Sequence, residues 1–149
     1  MKTYATKKRD IKREWHLVDL KGKILGRQAS RIAQLLMGKK NPYFAPYLDC
    51  GDYVVAINAG KIAATGRKFK QKKYQRHSGY PGGFKELTLK QMMAKDPRKV
   101  VELAVKGMLP KNKLQKPRMR RLKVAVGEEH GYEDKVKPKI KNKKPKTQT

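Results

Sequence analysis

Between Leu103 and Gly127 the chain carries eight lysines and arginines and no acid, although both ends of the stretch are apolar enough to be protein core. Soluble surfaces normally intersperse both signs of charge, so a fold that contains this segment must display an unbalanced face. The imbalance recurs. From Tyr53 to Lys85 there are eight more basic residues and again no acid. Both zones consist largely of loops and element ends, where long side chains reach outward. Of the formal net charge of +27, only +4 lies in residues 1–14 and +5 in 133–149, which leaves +18 within 15–132. A neutral domain carrying a charged tag is therefore excluded. A face built to meet phosphate groups accounts for the pattern better than a generic solubilising surface.

The 149 residues suit one domain, which would bury roughly two thirds of its unfolded surface. Cys50 is the only cysteine, so no intrachain disulfide forms, and a reducing compartment fits. No apolar run approaches the ~18 residues that span a membrane. The N-terminal "MKTYATKKRDIKRE" lacks an apolar signal core, and cytoplasm is the expected location.

The order of elements predicts a small α/β domain. "WHLVDL" (Trp15–Leu20) has strand composition, and "YVVAIN" (Tyr53–Asn58) is an apolar run suited to a strand of a parallel sheet. Between them Leu25, Ala29, Ile32, Ala33 and Leu36 recur at helical spacing, with Arg27 and Arg31 on other faces. Gly38 is placed to end that helix, ahead of Lys39 and Lys40. Residues 59–77 read as a basic connector ending in a strand near Lys73–His77, and "SGYPGGFKE" as a Gly-rich loop. Thr88 and Gln91 form a capping-box pair. Asp96–Pro97 opens a second helix with the stripe Val101, Ala104, Val105 and Met108, which Pro110 stops. "RLKVAV" alternates Leu122, Val124 and Val126 as a half-buried strand, and 133–149 is expected to be disordered without a partner.

No catalytic constellation assembles. "HSGYPGGF" has neither the Walker A nor the GxGxxG spacing, and "GKIAATGR" places five residues between its glycines where Walker A needs four. His77 and Ser78 are adjacent, which is not the arrangement of a nucleophile and its base; the loop fits a turn that brings backbone amides close to a phosphate. His16, His77 and His130 are too scattered for a metal site, and no cofactor is implied. Asp49 and Asp52 flank Gly51 and read as carboxylates bonded to their own loop. Tyr43, Phe44, Tyr47, Phe69, Tyr74 and Tyr80 lie in or beside loops, where each either packs beneath its loop or stacks on an unpaired base. RNA suits two basic loops with two basic ends better than DNA, since no recognition helix, zinc finger or basic zipper is present. A processing enzyme would need carboxylates near the basic face, and a membrane-surface binder a basic amphipathic helix. Neither feature is found.

Four segments, "WHLVDLKGKILGRQASRIAQLLMGK", "YFAPYLDCGDYVVAINAGKIAATGRK", "YQRHSGYPGGFKE" and "VELAVKGMLP…LKVAVGEEH", together resemble the bacterial-type large-subunit ribosomal protein thirteen family, from about Trp15 to His130. The resemblance implies a three-layer α/β/α fold around a mostly parallel four-stranded sheet. It also implies a structural, non-catalytic role binding large-subunit ribosomal RNA early in subunit assembly, beside neighbouring ribosomal proteins and without homo-oligomerisation. Its motif-bearing positions are Leu25-Gly26-Arg27, His77 to Gly83 and Lys106 to Pro110. Gln115, Ala125 and Ser78 depart from the family pattern. The expected organisation is a basic extension (1–14), one RNA-binding domain (15–132) and a Lys-rich tail (133–149). The residues expected at RNA are Arg27, Arg31, Lys39, Lys40, Arg67, Lys68, Lys70, Lys72, Lys73, Arg76, His77, Ser78, Lys85, Lys106, Lys111, Lys113, Lys116, Arg118, Arg120 and Arg121.

Overall fold

A computed structural model describes residues 5–136; the first four residues and the greater part of the Lys-rich tail, 137–149, lie outside the described residues. The elements run β1 (Trp15–Asp19), α1 (Leu25–Met37), β2 (Tyr53–Ile57), α2 (Lys68–Gln71), β3 (Lys73–His77), β4 (Phe84–Thr88), α3 (Leu89–Lys95), α4 (Pro97–Met108), α5 (Gln115–Arg120) and β5 (Leu122–Val124).

The parallel sheet has three strands among the described residues, in the order β1-β2-β5, where the resemblance implied four. The strand expected near Lys73–His77 forms as β3 but pairs antiparallel with β4 in a separate two-stranded ribbon. The cause is compositional. Lys73, Gln75, Arg76 and His77 are all exposed, so β3 has no apolar face to bury in a covered sheet. The second half of the expected Gly-rich loop continues as β4, and the glycines between them become the tip of the hairpin.

The helices also depart from three layers. The steps from β1 to β2 and from β2 to β5 run the same way across the sheet, and right-handed crossovers then place their helices on one face. There α1 and α4 pack against each other. Val18 and Leu20 of the β1 segment, Val54 and Ala56 of β2, and Leu122 of β5 point into the same cluster as Ile32 and Leu36 of α1 and Val101 and Val105 of α4. Alternation puts Trp15, Tyr53 and Val55 on the opposite face. Trp15 stacks on Tyr53 at 4.4 Å and on Tyr132 at 5.6 Å, so a C-terminal segment covers part of that face in place of a helix layer. Residues 133–136, assigned by sequence to the tail, form a turn that buries Val136.

Local signals account for the helices. The five apolar positions read on α1 are all buried, and Gly38 ends it in the left-handed conformation at φ 74°. A Cβ at Gly38 would strike the Cys50 carbonyl, and one at Gly51 the Leu36 carbonyl, so the end of α1 and the 50–51 turn can meet only through glycines. The Thr88–Gln91 capping box and the Asp96 cap on the Arg98 amide both form. On α4 the buried stripe is Val100, Val101 and Val105, joined by Leu109 just beyond, while Met108 is turned to the surface. Each such core side chain contributes about 1.5–3 kcal/mol by leaving water.

Candidate nucleic-acid interface

The Leu103–Gly127 zone changes meaning once folded. Pro117, in the first turn of α5, removes an N–H that needs no helical partner, so the segment forms a short helix despite its proline. Arg118 and Arg121 are three residues apart and share one side of that turn. They are 2% and 5% exposed, not surface groups. Both converge on Asp49: Arg121 grips its two carboxylate oxygens with a bidentate fork, and Arg118 Nε lies 3.6 Å from Oδ1. Arg13 approaches the same carboxylate at 3.8 Å. Asp49 is thus a long-range counter-charge and not a loop cap, and the placement of Arg118 and Arg121 at RNA is corrected to a buried pairing that docks α5 on the 49–52 turn. Asp52 behaves similarly, accepting from the Glu14 amide at 3.3 Å and pairing with His16 Nε2 at 2.9 Å.

Every other residue expected at RNA is exposed: Arg27, Arg31, Lys39, Lys40, Arg67, Lys68, Lys70, Lys72, Lys73, Arg76, His77, Ser78, Lys85, Lys106, Lys111, Lys113, Lys116 and Arg120. Among the described residues, Lys73 is the only one of these cations with a carboxylate within 4 Å, on Glu86 at 2.7 Å. The Glu86 carboxyl is held below the usual range by hydrogen bonds from Lys73 and then Gln75.

The structure gathers these residues in three places. The first is the β3–β4 hairpin, which carries Lys73, Arg76 and Lys85 on its strands. At its tip, the Gly79 amide donates to His77 Nδ1 at 2.9 Å and the Ser78 amide to the Gly83 carbonyl at 3.2 Å. A Cβ at Gly83 would lie against Ser78 Oγ and 2.9 Å from the Tyr80 carbonyl oxygen, so this turn favours glycine there. The tip and its flank expose Tyr80 (76%) and Phe84 (56%). Tyr47 is also exposed, whereas Phe69 and Tyr74 pack on the core and Tyr43 donates its hydroxyl to the Lys12 carbonyl. The aromatic side chains therefore divide, and Phe84, which sequence reasoning did not single out, joins the exposed set. Its outward position depends on the cross-strand pairing with His77.

The second place is a groove of about 460 Å³ between the start of α1, the end of α4 and the α2 segment. Packing of α1 on α4 brings Leu25-Gly26 and Gly107-Met108 together around it; Lys68 and Lys72 line a third side. Backbone bonds of Leu25 to Ala63 and of Ala63 to Lys23, both 2.9 Å, fix the α1 entry beside the α2 segment. The third place is the 110–116 loop with Lys111, Lys113 and Lys116. Gln115, a departure from the family pattern, closes it by donating from Nε2 to the carbonyls of Lys106 and Leu109 at 2.9 and 3.4 Å, which caps the end of α4.

Arg27, Arg31, Lys39, Lys40, Arg67, Lys70, Lys106 and Arg120 line none of these three places. Among the described residues no group of three or more His, Cys, Asp or Glu side chains is placed to hold a metal ion, and no helix is long and apolar enough to cross a membrane.

The chain has counterparts among known proteins. The family model for ribosomal protein L13 matches residues 13–131. The chain belongs to the ribosomal protein L13 family. Proteins named large ribosomal subunit protein uL13 are similar over most of their length. That of Aquifex aeolicus is 53% identical over 133 residues, covering 89% of this chain and 92% of its own. That of Thermobifida fusca is 50% identical, covering 89% of each, and that of a Roseiflexus species 48% identical, covering 98% of this chain and 99% of its own. The L13 match spans β1 to β5, so the hairpin, the groove and the 110–116 loop all belong to the family's part of the chain.

Proposed function

We propose that the protein is a structural component of the large ribosomal subunit, without catalysis of its own, that binds and organises large-subunit ribosomal RNA early in subunit assembly. The observation that carries this reading is the set of exposed lysines and arginines on the hairpin, the groove and the 110–116 loop, which have almost no carboxylate partners. RNA phosphates supply the missing counter-charges, and the folded domain fixes the spacing of the cations that meet them. Arg118 and Arg121 act one step back, by holding the α5 turn from which Lys116 and Arg120 project. The domain from 15 to 132 is the binding body. The basic residues of 1–14 and 133–149 add phosphate contacts around it, and neighbouring ribosomal proteins meet its remaining surface. Its place in the cell is that of the ribosome, in the cytoplasm.

Sedimentation of the tagged protein from cell extract through sucrose gradients tests this. Co-migration with large-subunit particles at low salt is expected. Migration only at the top of the gradient would contradict the reading.

A further inference from the structure

The groove between α1 and α4 has a feature that the chain itself does not explain. Gly26 lies in the first turn of α1 and Gly107 in the last turn of α4, and both line the groove. Neither has positive φ, and a Cβ at either position would meet nothing within 4 Å. Glycine in a helix costs about 1 kcal/mol relative to alanine, and here neither a turn nor internal packing requires it. What the two glycines provide is a low contour at which an outside body can approach the helix backbones closely.

The surrounding surface indicates the chemistry of that body. Leu103 and Met108, 42% and 40% exposed, form an apolar wall that no described segment covers. Lys68 and Lys72 supply positive charge, and no acid lines the groove. Lys68 Nζ donates to Thr65 Oγ1 at 3.3 Å, which holds the ammonium at the rim. A bare phosphate has no use for the apolar wall, and a protein side chain fitting the charge would have to be acidic. A nucleotide carries an apolar-faced base and ribose together with negative phosphates.

We propose that this groove receives an unpaired nucleotide of the bound RNA, with its base and ribose against Leu103, Met108 and the two glycines and its flanking phosphates at Lys68 and Lys72. The proposal rests on the RNA-binding function above and locates one point of contact within it.

The test uses the full chain with Gly107→Leu, and independently Gly26→Leu, in filter binding to a large-subunit ribosomal RNA transcript. Leucine favours helix, and its Cβ meets nothing within 4 Å at either position, so the thermal midpoint should stay or rise. Loss of one base's apolar packing against this wall predicts affinity about tenfold weaker. The dependence on salt should stay native, because no charge is removed. Lys68→Gln combined with Lys72→Gln should instead lower the logarithmic salt slope by roughly two. Should either leucine variant fold poorly, Gly107→Ala adds a single methyl group and should show a smaller loss of the same sign.

Native-strength RNA binding by the folded glycine variants would overturn the proposal. So would native RNA binding combined with failure to enter large-subunit particles, which would assign the groove to a protein partner. If the unsubstituted protein itself fails to bind the transcript, the RNA-binding function falls first.

Discussion

At Asp49 one carboxylate is shared by two buried arginines of the α5 turn, with Arg13 at its edge. Asp49→Asn keeps the shape and removes the charge, leaving guanidinium groups buried without a counter-ion. Breaking a buried pair from one side costs roughly 3 kcal/mol, so the urea midpoint should fall steeply while Lys116→Gln, on the exposed side of the same turn, leaves it nearly unchanged. Equal midpoints for the two variants would show that the pairing is not structural. A second residue-scale effect concerns acid. Asp19 accepts from the Lys21 amide and from Asn58 Nδ2, which hold its carboxyl below its ordinary 3.8. A lowered carboxyl pKa stabilises the fold above the unfolded value, and that contribution disappears as pH falls through the folded one. Asp19→Asn should therefore flatten the acid end of the stability–pH curve, measured by thermal melts from pH 6 downward; an unaltered curve would mean that the two hydrogen bonds do not distinguish the charged form.

The β3–β4 hairpin stands apart from the parallel sheet as an element, since its strands are exposed and its pairing is internal. Tyr80→Ala and Phe84→Ala should accordingly change stability by no more than about 0.5 kcal/mol. RNA binding should weaken by about 1–3 kcal/mol for each base that loses its stacking partner, with the salt dependence unaltered. Unfolding and filter-binding measurements on the same preparations separate these outcomes, and a large loss of stability would place the aromatic side chains in the core instead. Elements with local signals were legible in the sequence: the apolar spacing and Gly38 of α1, the Thr88–Gln91 box of α3, and the Asp96–Pro97 start of α4. Two were not. β4 has little apolar burial to mark it, and α5 is a basic segment interrupted by Pro117 that becomes helical because Asp49, 72 positions before Arg121, neutralises one side of it. The same pairing explains why the sequence places Arg118 and Arg121 among outward-reaching cations although folding buries them: a window without acids says nothing about an acid that folding brings to it. The exposed Met108 was misjudged for a related reason, since helical spacing gives the buried face of α4 only to within one residue.

For the whole molecule, a formal charge of +27 on 149 residues makes salt act in opposite directions on the two states. Free protein repels itself, so screening should raise its melting temperature as monovalent salt is increased. The RNA complex should weaken over the same range, because salt lowers the gain from releasing counterions. The second effect tests the central claim most directly: that phosphates provide the counter-charges the folded surface lacks. Filter binding to a large-subunit ribosomal RNA transcript from 50 to 200 mM salt should show affinity falling by about 10³–10⁵-fold if six to ten phosphates are neutralised. A flat response across that range would contradict the account.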